Sequence, residues 1–149
     1  GHQGALRSPR FAEVGVEIYL PWNGFKREGL DTLYHDPSKG IFDASRFHNI
    51  EAAKAIAFHA RGSWNGLGRG GIGLHTRNAY QPLGMNLNTP SETVVCYAEP
   101  VGKGGGVKGG TNTAVRIALN HAIRVINIYK DSDYQLMRQF IEEHKAYLA

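Results

Sequence analysis

Residues 98–128 read AEPVGKGGGVKGGTNTAVRIALNHAIRVINI, and the order of signals in this stretch decides the fold class. A β-rich run, Thr93 to Ala98 (TVVCYA), enters it between Pro90 and Pro100. A glycine-rich loop follows, and a helix begins at Gly109-Gly110-Thr111. Ala114, Val115, Ala118 and Ala122 recur at helical spacing from Thr111 to Ala122, with Thr111 available as N-cap. A second β-rich run, Arg124 to Tyr129 (RVINIY), closes the unit. Strand, helix and strand within one short stretch predict a parallel crossover. Upstream, Val14 to Leu20 (VGVEIYL) is a third such run, stopped by Pro21. All three are almost continuously apolar, as in strands covered on both faces. Helical patterns lie between and after them. Asn49 to Arg61 carries Ile50, Ala53, Ala57 and Ala60 on one stripe. Leu74 to Leu83 reads as a polar helix after Gly73. Asp133 to Leu148 is amphipathic, with Leu136, Phe140, Ile141 and Tyr147 on or near its apolar side. The segment from Asn23 to Asn49, rich in Gly, Asp and His, reads as an irregular excursion. Strands alternating with helices predict an α/β fold with an open, mainly parallel sheet.

The 149 residues suit one domain spanning the whole chain, and 42% hydrophobic with 20% charged residues supports a packed core. No apolar run approaches the roughly 20 residues of a membrane span, and no signal segment opens the chain, so no membrane partner is predicted. The chain opens on Gly1-His2, which reads as a trimmed or processed start. A single cysteine, Cys96, rules out an intrachain disulfide and a multi-cysteine zinc site, and fits a reducing, cytoplasmic compartment. A net charge of +4 suits an anionic ligand without by itself indicating nucleic acid.

The glycine turn carries the chemistry. Unpaired backbone N–H groups and the positive end of a helix dipole at a strand's carboxyl edge make a site for phosphate. Thr111 and Thr113 can add hydroxyl donors, and Lys103 or Lys108 can add charge. The spacing is neither a Walker motif nor the dinucleotide fingerprint, and a flexible loop before a capped helix gives the same pattern. Arg77, Asn78 and Gln81 share a helical face and can hold a phosphate or a base edge, or simply cap neighbouring loops. Trp22 and Phe25, just past a strand end, can wall a pocket or cover the sheet edge. Of seven histidines, His35 and His48 lie near Asp36 and Asp43, while His59 and His75 flank glycine-rich sequence. None has zinc-hydrolase spacing, so no metal and no cofactor is predicted. No Ser–His–Asp or Cys–His arrangement is visible. The acids available for catalysis are Glu13, Glu17, Asp43 and Glu99, of which Glu99 is best placed after a strand end.

Three segments carry a resemblance: GGTNTAVRIALNHAIRVINIY at 109–129, EIYLPWNGF at 17–25 and TRNAYQPLGMNLNTP at 76–90. In this order they resemble phage and bacterial proteins of the SLOG superfamily, Rossmann-like relatives of the DprA and lysine-decarboxylase-like (LOG) proteins. The resemblance implies a Rossmann-like three-layer sandwich with a mainly parallel sheet, in which the family's first strand has no counterpart here. It implies a nucleotide or nucleotide-derived ligand, such as an ADP-ribose-like signal or a cyclic nucleotide, over Gly109-Gly110-Thr111. Gly1 to Ala5 resembles the family's opening turn, which would bring Gly4 to the ligand; Leu6 stands where that motif has Asp. LOG-type phosphoribohydrolases carry a Glu shortly after the second turn, where this chain reads Thr113-Ala114-Val115-Arg116. Binding without turnover is therefore the expected behaviour, as in a cytoplasmic phage protein that sequesters a signalling nucleotide. The alternatives are a nucleotide N-glycosidase or phosphohydrolase using Glu99, and DprA-like binding of single-stranded DNA through Lys103, Lys108, Arg116 and Arg124. A sheet lacking one strand would expose an unpaired edge, so a homo-oligomer is expected.

Overall fold

The structure, a computed structural model, describes residues 15–145. Gly4 and its turn, Glu13 and Tyr147 lie outside the described residues. Between these limits the chain is a mixed α/β protein with small, mainly parallel sheets. Strand β1 (Ile18–Leu20) runs parallel to β2 (Ile41–Asp43), with Tyr19 opposite Phe42. Strand β3 (Thr93–Cys96) runs parallel to β6 (Arg124–Asn127), with Val94 opposite Val125. Between them in sequence, β4 (Pro100–Val101) and β5 (Gly106–Val107) form an antiparallel hairpin. The helices are α1 (Ile50–Arg61), α2 (Arg69–Arg77), α3 (Tyr80–Leu83), α4 (Thr111–Asn120) and α5 (Asp131–Glu143).

One core joins the two parallel ladders. Tyr19 of β1, Ala53 of α1, Tyr80 and Leu83 of α3, and Ile117 and Ala118 of α4 are buried together, with Phe42, Val94 and Val125 packed against them. Phe47 meets Tyr19 and Tyr80 edge to face, the latter at 5.0 Å and 88°, while Tyr19 stacks on Phe42. Ala53 and Ala57, fully buried on α1, keep that helix close to α4, and the stripe read from the sequence is its inner face. On the other side of the first ladder, Ile18, Leu20 and Ile41 form a second small cluster with Phe25 and Leu33. The first ladder is thus covered on both faces, as its apolar run predicts. The second is not: Val95 is half exposed, and no residue of α5 is buried.

The structure corrects several boundaries. The Asn23–Asn49 segment contains β2 and two short 3-10 turns, Pro37–Lys39 and Ala44–Arg46; three strand residues are too few to register as an apolar run. Helix α2 starts at Arg69, before the glycines rather than after Gly73. The Trp22 ring lies close over Gly70 and Gly73, and this packing outweighs their low helix propensity. The glycine-rich loop of residues 102–105 is the tip of the β4–β5 hairpin. Gly110, not Thr111, is the N-cap of α4, and no side chain caps that end. Ala122 lies past the helix in a left-handed conformation (φ 55°). Among the described residues, no helix is long and apolar enough to cross a membrane.

Candidate functional site

The turn before α4 divides two tasks between adjacent glycines. Gly109 has φ +80°, a conformation that disfavours any side chain. Gly110 has ordinary helical angles (φ −64°, ψ −25°), and a Cβ there would meet only the edge of His75 at 3.9 Å. The backbone therefore requires glycine at 109 and not at 110. The first bonds of the helix run from Asn112 N–H to Gly109 carbonyl (3.1 Å) and from Thr113 N–H to Gly110 carbonyl (3.3 Å). The N–H groups ahead of them point out of the helix end, where the dipole favours an anion.

Side chains from α2 and the residue after it brace this turn. Asn78 donates from Nδ2 to the Gly110 carbonyl at 3.1 Å. One turn earlier, His75 Nδ1 lies 2.7 Å from the Thr113 hydroxyl. Thr113 is buried and bonded to His75, so it braces the turn from inside and does not present its hydroxyl to a ligand as the sequence suggested. Burial, and secondarily the charge of Arg61, hold the His75 pKa below the ordinary histidine value, leaving the ring neutral near pH 7. Arg61 also donates to the carbonyls of Ser63 and Asn65, fixing the loop that carries Trp64 beside Phe58 and His75.

Arg77 extends the bracing in the other direction. Its Nε donates to Asn78 Oδ1 (3.1 Å), its Nη1 donates to the Tyr19 carbonyl (2.8 Å), and its guanidinium lies 5.6 Å from the Phe25 ring centroid. A polar relay thus runs from β1 through Arg77 and Asn78 to Gly110. Burial, then the like charge of Arg27, draw the Arg77 pKa down to about 10. No carboxylate pairs with Arg77 among the described residues. Trp22 and Phe25 meet edge to face at 5.3 Å and 82°, Trp22 seated on α2 and Phe25 beneath Arg77. They form one wall next to the relay.

Other predicted residues lie apart from this cluster. Gln81 sits on α3, and its side chain has no hydrogen bond to Arg77, Asn78 or the turn. The backbone stays right-handed through Asn78 and Ala79, but the helix is interrupted there, and Arg77 and Asn78 are bonded to each other and to Tyr19 and Gly110 without Gln81. Lys103 is exposed at the hairpin tip. Lys108 binds Glu99 at 2.8 Å, so the best-placed acid is held in a surface ion pair. Asp43 accepts from the N–H and hydroxyl of Ser45 and pairs with Arg46, a turn-forming role. Glu17 accepts from the Tyr19 hydroxyl. His35 accepts the Asp43 N–H at Nδ1. Among the described residues no group of three or more His, Cys, Asp or Glu is placed to hold a metal. His75 is the residue that the sequence reading missed; its spacing from Asn78, one helical turn, was the available signal. Compared with protein-family models, with curated proteins and with solved structures, the chain finds no match in any of the three.

Proposed function

We propose that this chain is a nucleotide-binding protein of the SLOG type, with a Rossmann-like arrangement, that holds the phosphate of a nucleotide or nucleotide-derived signal on the Gly109–Thr111 turn. One observation carries the reading. Gly110 has an ordinary helical backbone and open space, yet it is glycine, and Asn78 and His75 come from a separate helix to set its position. Backbone clearance at a braced helix start is what close approach of a phosphate needs. Arg77, positive and without a carboxylate partner among the described residues, adds charge next to the turn, and the Trp22–Phe25 wall offers a face for a base. Binding without turnover fits the engagement of Glu99 by Lys108.

Isothermal titration with a panel of nucleoside monophosphates, cyclic nucleotides and ADP-ribose tests the proposal. Heat is expected with at least one phosphate-bearing member. Gly110→Asp should lower that affinity by roughly two orders of magnitude or more, because bulk and negative charge then face the anion. The variant should fold normally, since Asp suits an N-cap and a Cβ has room there. Absence of heat with every member, or unchanged binding by Gly110→Asp, overturns the reading.

A further inference from the structure

A second basic site shares Arg77 with the glycine-turn site. A cleft of about 200 Å³ opens at the carboxyl ends of β1 and β2, lined among others by Ser45, Glu51, Lys54, Arg69 and Arg77. Three cations face it against one carboxylate. Among the described residues none of the three cations takes part in an ion pair. The first turns of α1 and α2 both contribute, through Glu51 and Arg69, so the positive ends of two helices of 12 and 9 residues border the same space. Arg69 occupies the first position of α2, where the dipole disfavours a cation, and α2 has no acidic residue in its first turn to offset it. That placement does nothing for the helix and raises the potential in the cleft.

We propose that this cleft is an anion site that takes the head group of a small phosphate monoester. Its size argues for a head group, because pockets for complete small molecules usually run from roughly 300 Å³ upward. Its charge argues for a dianion: one carboxylate would leave half of the surplus uncompensated, while a phosphate monoester balances three cations and Glu51. Its donors argue for oxygens in a fixed fork, since arginine matches phosphate geometry and Lys54 adds a point charge. Arg77 uses one N–H on Tyr19 and one on Asn78 and keeps the rest of its guanidinium for the cleft. Ser45 contributes no donor, because its hydroxyl already donates to Asp43 at 2.6 Å. An anion in the cleft offsets the like charge of Arg27, which, after burial, depresses the Arg77 pKa. The site does not depend on the nucleotide reading.

Amide chemical shifts during titration with inorganic phosphate, against sodium chloride at matched ionic strength, test it. Saturable shifts are expected at Lys54, Arg69 and Gly73. In the Lys54→Ala/Arg69→Ala double variant, phosphate should bind about tenfold or more weaker while the rest of the spectrum stays that of the parent, since Arg69 is exposed, Lys54 is half-buried and neither takes part in an ion pair among the described residues. Glu51→Gln should tighten phosphate, by about two- to fivefold, as removal of a like charge requires. The proposal is overturned if chloride gives the same shifts, if phosphate shifts fall only on Gly109–Thr111, if the double variant binds like the parent, or if Glu51→Gln fails to tighten. Location separates the two readings: a nucleoside monophosphate can give heat from either site, so binding that survives Gly110→Asp and is lost in the Lys54→Ala/Arg69→Ala variant removes the glycine-turn proposal and keeps this one.

Discussion

A neutral imidazole stands behind the glycine turn, and its titration ties the site to pH. His75 has an ordinary value of 6.5 in the unfolded chain, and burial with Arg61 lowers it in the fold. The unfolded state then binds the proton more readily, so His75 contributes stability that is complete above about pH 6.5 and is lost as pH falls through its folded-state value. His75→Gln keeps a partner for Thr113 and should flatten that acid limb in urea unfolding; an unchanged limb would mean that another group is responsible. Ligand binding adds an opposite linkage. An anion on Gly110 stabilises the imidazolium, so affinity for a cyclic phosphodiester, which does not titrate there, should rise as pH falls toward the lowered His75 value, below about 6.5. Titration calorimetry on both proteins should show that rise in the parent and not in His75→Gln; equal slopes would place the ligand away from His75. At this scale the glycine turn before α4 was legible, and Asn78 takes the loop-capping role that was one of its two readings. The pairing of His75 with Thr113 was not, since it joins residues 38 positions apart.

The βαβ element that positions the turn depends on one amide. Asn127, buried at the end of β6, accepts the Ala98 N–H at 3.2 Å and donates to the Ala98 carbonyl at 2.7 Å, extending the β3–β6 ladder beyond its strands. Its own N–H donates to Asp133 at 2.9 Å, and its side-chain oxygen also accepts the Tyr129 N–H. Asn127→Ala leaves several main-chain groups without partners and should destabilise the fold by about 2–3 kcal/mol. Asn127→Asp should cost a similar amount, because an oxygen then faces the Ala98 carbonyl. Urea midpoints measure both, and a change below about 0.5 kcal/mol for either would show that water replaces the amide without loss. Strands β3 and β6 were readable from β-branched runs, and α1 and α4 from small apolar residues at helical spacing. β2 was hidden by its length, the β4–β5 hairpin by glycines that read as loop, and the start of α2 by glycines that Trp22 packs against. For α2 a tertiary contact overrode the local signal.

Among the described residues, several exposed apolar side chains lie on adjoining elements. Val95 and Tyr97 at β3, Tyr129 after β6, and Leu136, Phe140 and Ile141 on α5 are all among the exposed large hydrophobic residues, with Tyr97 70% exposed and Phe140 55%. Tyr97 and Tyr129 touch at 5.4 Å between ring centroids, and α5 packs on β6, so these elements adjoin. The apolar run of β3 is the kind found in parallel strands covered on both sides, and a two-stranded parallel ladder with one face in water is marginal. Contiguous exposed apolar patches mark interaction surfaces. The homo-oligomer expected from the sequence should therefore form through β3, β6 and α5, with a second copy supplying the missing cover. Light scattering at micromolar concentration should give a mass above that of one chain. Phe140→Lys removes about 0.8–1.6 kcal/mol of further apolar burial on each of two copies, because only about half of the side chain remains to be covered, and should weaken a dimer by about one order of magnitude or more. The thermal midpoint of the separated chain should change little, because Phe140 already sits half in water. A parent that scatters as a single chain across that range, or a Phe140→Lys variant that assembles as well as the parent, would show that this face is not where copies meet.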